Sequence, residues 1–171
     1  MPIKDFQVGV PPSAADINRY FQQRAHVIKA ADESITSSTT LQNDDHLFLT
    51  VSANTDYWVE AMIRYDGPTG GDLKIGWSVP TGATLEWTSN GLATAATSTA
   101  DDLWRRRRTA TTDEIVGAVG AGTDLLAMPE GLLRVGANAG TLRLRWAQGT
   151  SSATATRVFL RSLLMISRMV A

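Results

Sequence analysis

The chain contains no cysteine, and it has only two histidines, His26 and His46. Disulfide bonds, thiolate metal sites and cysteine nucleophiles are therefore excluded. A zinc site of three or four His and Cys ligands cannot be built either. His46 follows Asp44 and Asp45 and could join a small carboxylate–imidazole cluster, although a turn entering a strand explains the pattern as well. We expect no metal and no cofactor.

An excess of charge of either sign is also missing. The 171 residues include 16 Lys and Arg against 17 Asp and Glu, a net charge of −1. This balance argues against a general nucleic-acid partner. The apolar run at residues 163–166 is far shorter than the roughly 20 residues of a membrane-spanning helix. The first six residues lack the features of a secretory peptide, so we expect synthesis in a cytoplasm and no membrane partner.

What the sequence does contain is period-two alternation. DLKIGWS at 72–78 is echoed by TLRLRWA at 141–147, and each alternates apolar with polar residues up to a tryptophan. Such alternation is typical of a half-buried strand. Short strands separated by Gly, Pro and Asn turns predict a mainly β, antiparallel sandwich. The predicted strands are 46–52, 57–65, 73–79, 84–87, 114–119, 132–137, 142–146 and 157–169.

The N-terminal segment has a different pattern. Residues 1–12 form an apolar arm that needs a surface to lie on, and Ser13 is suited to cap a helix predicted over about 14–26. We therefore divide the chain into an arm and helix at 1–29, for attachment or subunit contact, and a β-sandwich at 30–171. The candidate attachment residues are Phe6, Val8, Val10, Ile17, Tyr20 and Phe21.

No stretch of the chain carries a catalytic motif. The glycine-rich residues 117–122 lack the spacing of a dinucleotide or phosphate loop and are interpreted as a flexible turn. Acidic pairs near strand ends occur in any sandwich, so they do not indicate a glycosidase. We expect that the protein is not an enzyme.

The run Arg105, Arg106, Arg107 and Arg108 is the most unusual local feature. Four guanidinium groups could hold phosphate or an acidic patch. Acids at 101, 102, 113 and 114 lie close in sequence, and the chain is nearly neutral. We therefore favour ion pairs within the chain or with a partner subunit over binding of nucleic acid.

Five tryptophans raise the question of sugar binding, since an exposed indole ring can stack on a sugar face. Trp77, Trp87 and Trp146 share a strand face with Leu or Ile and are predicted to be core residues. Trp58 and Trp104 remain as candidate contacts for a host-surface glycan.

Three segments together resemble a small β-domain that recurs in tailed bacteriophages and prophages of actinobacteria. They read AADESITSSTTLQNDDHL at 30–47, DLKIGWSVPTGA at 72–83 and LRWAQ at 144–148, and the resemblance covers about residues 30–170. In that family the domain occurs in minor tail or fibre-like virion proteins, usually without an enzymatic role. The resemblance implies a jelly-roll-like sandwich that forms a homotrimer and is held to the virion by its N-terminal segment.

These observations favour a structural virion protein, a minor tail or fibre-like component docked through its arm onto other virion proteins. A close alternative is a capsid decoration or head-fibre protein, which would be docked by the same kind of apolar arm. A third interpretation is a carbohydrate-binding module that contacts the host surface. Independently of the resemblance, a small sandwich has sheet edges that must be covered, and symmetric association is a common way to cover them.

Overall fold

The computed structural model describes residues 6–20, 23–94 and 103–169, and within these the side chains of 18–20 and 104 are not described. One short helix, α1, spans Ala14–Tyr20. The strands of the described part, in chain order, are β1 (Arg24–Ile28), β2 (Glu33–Ile35), β3 (Gln42–Val51), β4 (Thr55–Gly67), β5 (Leu73–Ser78), β6 (Thr84–Thr88), β7 (Gly91–Leu92), β8 (Leu103–Trp104), β9 (Arg108–Thr109), β10 (Glu114–Val116), β11 (Gly120–Ala127), β12 (Glu130–Val135), β13 (Gly140–Gln148), β14 (Thr156–Val158) and β15 (Leu163–Met169).

The strands form two main antiparallel sheets. The larger has nine strands, and its main path has the order β1-β15-β4-β12-β6-β9. Off this path, β11 and β14 pair with the C-terminal half of β4, and β2 pairs with β14. The smaller has the order β10-β5-β13-β3, and β7 pairs with β8 in a separate ribbon. The predicted mainly β sandwich with one short N-terminal helix is confirmed, whereas the jelly-roll connectivity stays a prediction.

The core lies between the two sheets. Trp77 of β5 meets Trp87 of β6 edge-to-face, with ring centroids 6.1 Å apart and planes at 82°. This arrangement suits the aromatic quadrupole and joins the small sheet to the large one. Alternate residues of both sheets are buried around it, among them Leu47, Val51, Val59, Ile63, Tyr65, Leu85, Leu133, Leu142, Leu144 and Ile166.

The two echoing segments are neighbours in the small sheet. In the β5–β13 ladder Leu144 lies opposite Trp77, and Trp146 lies opposite Ile75. Their apolar sides face the same core, and Ile75 and Trp146 are fully buried. The shared pattern is therefore one packing task performed by two adjacent strands.

The helix is shorter than predicted. Ser13 caps it as expected, since its Oγ accepts a hydrogen bond from the backbone N–H of Asp16 at 3.1 Å. The predicted extension to residue 26 is wrong, because Arg24–Ile28 forms β1 and pairs with β15. A short isolated helix gains little per residue, so backbone pairing with a sheet competes with it successfully.

The glycine-rich stretch is only partly a turn. The predicted strand over 114–119 ends at Val116, and Gly120–Ala127 forms β11 instead of a flexible loop. Between Gly120 and Leu125 the register against β4 shifts, and Gly120 and Gly122 adopt φ values of 130° and 93°. Glycine permits this irregular strand, since such positive φ angles are costly for other residues.

The predicted long strand at 157–169 is interrupted. Val158 pairs with Tyr65, and Leu163 pairs with Met62. The segment from β14 to β15 therefore advances five residues while β4 advances three. The extra residues form a turn with Arg161 at a φ of 65°. The alternating pattern continues on both sides of the turn, which explains why the sequence indicates one strand.

Candidate functional site

The outer face of the large sheet carries a row of three different side chains. Leu132 of β12 lies opposite Trp58 of β4 on one side and opposite Glu86 of β6 on the other. Their neighbours along each strand point into the core, so these three face outward. Trp58 is 36% exposed. The row therefore presents an indole ring, an aliphatic side chain and a carboxylate together.

The arginine segment lies over this row. Residues 105–107 connect β8 to β9, and with the row they line a groove of about 390 Å³. Glu130 of β12 also lines it and accepts a hydrogen bond from Asn90 Nδ2 at 2.9 Å. The structure thus brings Trp58 together with Arg105, Arg106 and Arg107, two candidate sets that the sequence keeps apart.

Ion pairs attach the arginine run to the sheets. Arg107 Nη2 donates to Glu86 Oε1 and Arg108 Nε donates to Glu114 Oε2. Glu114 is one of the acids expected from the sequence, whereas Glu86 is not. The hydrogen bond from Arg107 lowers the pKa of Glu86, and the same bond raises the pKa of Arg107. The hydrogen bond to Glu114 raises the pKa of Arg108.

A buried tryptophan supports the groove from below. Trp87 Nε1 donates to the carbonyl oxygen of Thr109 at 3.0 Å, which ties β6 to β9 beside the arginine segment. Trp77, Trp87 and Trp146 are all buried, so the prediction that they are core residues is confirmed. The side chain of Trp104 lies outside the described residues.

The N-terminal arm forms a second candidate surface. Val8 is fully exposed, and Val10 and Ile17 are 60% and 46% exposed. Phe6 is also well exposed. The side chain of Tyr20 and the whole of Phe21 lie outside the described residues. The arm therefore presents apolar side chains on the outside of the described structure.

The structure also reveals charged residues that sequence reasoning did not single out. Lys29 is buried beside Asp44 and Glu33, and His46 Nδ1 lies 3.1 Å from Glu33 Oε1. Lysine and glutamate are usually exposed, so nothing in the local pattern marks these two. Only the acidic pair at 44–45 preceding His46 hinted at a cluster here.

No protein-family model matches the chain, and no curated protein matches it. Among solved structures, a chain in the structure of infectious bursal disease virus, Gx strain, is similar with a TM-score of 0.30 and 10% identity over 100% of this chain and 42% of that chain. A Gt-strain chain gives a TM-score of 0.26 and 9% identity, covering 100% and 43%. This chain thus spans less than half the length of these viral chains. The similarity is weak and carries no argument about function.

No helix within 6–20, 23–94 and 103–169 has the length and apolar character needed to cross a membrane.

Proposed function

We propose that this protein is a structural component of a virion, a minor tail or fibre-like protein that docks through its N-terminal arm. The observation that carries the proposal is the exposed apolar arm ahead of a sandwich whose own core is filled. The resemblance of residues 30–170 to phage tail domains supports the same assignment. Its site of action is then the virion, after synthesis in the host cytoplasm.

The arm has the chemistry of a docking segment. Burying the exposed parts of Val8, Val10 and Ile17 on a partner would contribute roughly 3 to 6 kcal/mol before the costs of association are subtracted. The sandwich does not need these side chains, because its core is closed by residues of the two sheets. A partner surface on another virion protein is the occupant that fits this arm.

Sheet edges supply a reason for self-association. β1 and β9 end the main path of the large sheet, and β10 and β3 end the small one. β9 and β10 are only two and three residues long, which limits their pairing with other chains. β3 and β1 are longer, at ten and five residues, and of these two β1 adjoins the arm, so it is the edge that we propose for a homotrimer contact. Light scattering should then give about three times the 18.4 kDa chain mass; a monomer at micromolar concentration would contradict the trimer.

Docking is tested by changing the arm alone. Because β1 begins at Arg24, we would delete residues 1–22 and also make Val8→Asp with Val10→Asp in the full chain. Both variants should keep the β-sheet signal in circular dichroism, with the deletion losing only the contribution of α1, yet be absent from purified particles. Met128→Asp, at an exposed apolar position in the sandwich, is the matched control and should be incorporated. Normal incorporation of the arm variants into particles would contradict the docking proposal.

The position in the particle separates two versions of the proposal. A capsid decoration or head-fibre protein would dock by the same arm, so the incorporation experiment gives the same result for both. Electron microscopy of intact particles, with the protein labelled at an exposed position of the sandwich such as Met128, distinguishes a tail site from a head site. Label on the head would contradict the tail assignment while leaving the virion role intact.

The groove favours a second candidate function, binding of a host-surface glycan. Trp58 provides a stacking surface, and Glu130 and the arginine segment supply hydrogen-bonding groups at its rim. A glycan array or cell-wall pull-down with the full chain tests this. Trp58→Ala should abolish a signal that Phe48→Ala, at an exposed aromatic position of β3, leaves unchanged. No signal with the unaltered chain would dismiss the idea.

A further inference from the structure

A buried charged cluster joins the two sheets away from the groove. Lys29 directly follows β1 of the large sheet, and Asp44 lies in β3 of the small one. Lys29 is 1% exposed and Asp44 is 0% exposed. Lys29 Nζ lies 2.7 Å from Asp44 Oδ2 and 2.5 Å from Glu33 Oε1. The Lys29 amine and the Asp44 carboxyl group are therefore packed together away from solvent, and the Glu33 carboxyl group, with 15% of its side chain exposed, lies at the border of the cluster.

The two oxygens of Asp44 have different surroundings. Oδ1 accepts hydrogen bonds from the backbone N–H groups of His46 at 2.9 Å and Leu47 at 2.8 Å. Oδ2 faces Lys29 Nζ and also accepts from Trp146 Nε1 at 3.2 Å. Two amides aimed at one oxygen form the arrangement that stabilises a developing oxyanion. Lys29 Nζ thus lies at one oxygen of the carboxyl group, and the two amides hold the other.

Glu33 is positioned as a proton carrier. Its Oε1 contacts Lys29 Nζ, accepts from the backbone N–H of Asp45 at 3.2 Å, and lies 3.1 Å from His46 Nδ1. These contacts hold one carboxylate oxygen within reach of the amine. A simple ion pair between Lys29 and Asp44 does not require this third group.

We propose that Lys29 and Asp44 condense into an intramolecular isopeptide bond, with Glu33 transferring the proton. Passing one proton from Nζ to Asp44 Oδ2 gives a neutral amine and a carboxylic acid, the pair of groups that can condense. The amine lone pair then attacks Cγ, and the C=O π electrons move to Oδ1 between the two backbone amides.

The remaining steps release one water molecule. Glu33 takes a proton from Nζ and delivers it to Oδ2, which leaves as water while the electrons on Oδ1 reform the carbonyl. One C–N bond forms and one C–O bond breaks, with no oxidant or other reactant needed. Fixed contact between amine and carboxyl in a rigid core supplies the proximity that the uncatalysed reaction lacks.

A metal ion fits this cluster less well. Ligand atoms of Glu33, Asp44 and His46 lie within 4.8 Å of one another, a grouping that could hold a cation. However, Lys29 Nζ lies at hydrogen-bonding distance from both carboxylates and already supplies the positive charge. The cluster is thus arranged around an amine.

The bond would be a covalent cross-link between the two sheets, in a chain that has no disulfide. Lys29 follows the edge strand β1, and β1 leads back to the arm. If the proposed docking function holds, load on the arm would reach Asp44 and the small sheet through a covalent link. Without the link, the β1–β15 hydrogen bonds would carry that load. This consequence rests on the proposed function, whereas the bond itself does not.

Intact mass spectrometry of the denatured full chain tests the proposal. The unaltered chain should be lighter than its sequence mass by about 18 Da, the mass of one water molecule. Trypsin should fail to cleave the peptide bond after Lys29, because the lysine amine is then part of an amide. Asp44→Ala should have its full sequence mass. Any N-terminal processing changes the masses of both chains equally, so the difference between their mass deficits reports the bond alone. Asp44→Asn should instead lose about 17 Da, one ammonia, because the same attack expels a different group.

Two outcomes would overturn the assignment. A full sequence mass with cleavage after Lys29 in the unaltered chain would show an ordinary buried ion pair. Glu33→Gln is expected to fold but stay at full mass; complete linkage in that variant would overturn the role of Glu33. Neither result depends on virion incorporation, so failure here is distinguishable from failure of the proposed function.

Discussion

The contrast between Asp66 and Asp124 provides a quantitative test of the sandwich. Asp66 is completely buried at the end of β4, and its carboxylate accepts two hydrogen bonds from Arg157 and one from Gly122 N at 2.6 Å. Within the described part of the chain Asp124 forms an ion pair with Arg64 alone, and its side chain is 47% exposed. The same substitution, Asp to Ala, therefore removes a buried junction in one case and a solvated contact in the other.

The expected magnitudes follow from these environments. Removing one member of a buried pair costs about 3 to 5 kcal/mol because its partners lose their hydrogen bonds. Arg157 is 41% exposed and can turn to water, so we lower the estimate for Asp66→Ala to about 2 to 4 kcal/mol. Exposed pairs contribute about 0.2 to 1 kcal/mol, which is the range expected for Asp124→Ala. Asp66→Asn should fall between them because it keeps an acceptor for Gly122.

Urea denaturation followed by far-UV circular dichroism measures both variants. With an m-value of about 2 kcal/mol per molar, Asp66→Ala should lower the midpoint by about 1 to 2 M, and Asp124→Ala by less than about 0.5 M. Raising the salt concentration should reduce the Asp124 effect more, because exposed pairs are screened. Equal midpoints for the two Ala variants would refute the reasoning that burial and the Gly122 bond decide the difference.

Two further changes test the core. Trp77→Phe should alter the free energy of unfolding by less than about 1 kcal/mol, because the indole N–H is buried without an acceptor among the described residues and its loss offsets the lost contact; a loss above about 2 kcal/mol in urea titration would contradict this. Gly131→Ala should destabilise by about 1 to 3 kcal/mol, since the new Cβ would lie 2.3 Å from the Glu86 carbonyl oxygen. An unchanged melting temperature would show that β6 can move away.

Local patterns predict the strands well because strand alternation is a property of a few consecutive residues. The segments at 72–78 and 141–147 form β5 and β13, and their apolar sides are buried as the pattern indicates. The helix boundary fails for the opposite reason. Arg24–Ile28 becomes a strand through pairing with β15, more than a hundred residues later, and no local signal records that partner.

Several candidate site residues were predictable from the sequence, whereas most of their contact partners were not. Val8 and Trp58 are exposed, as their candidate roles in attachment and in glycan contact require. The partner of Arg107 is Glu86, which strand pairing brings close from another part of the chain. The distance from Lys29 to Asp44 likewise depends on two sheets packing face to face.

The sequence by itself determined the mainly β class, the absence of disulfides, the core tryptophans and the apolar character of the arm. These properties depend on composition and on the spacing of neighbouring residues. Only the tertiary structure decided that the echoing strands are adjacent, that the arginine segment and Trp58 line one groove, and that Lys29 meets Asp44 in a buried cluster. Such contacts join residues distant in the chain, and the packing of the two sheets selects them.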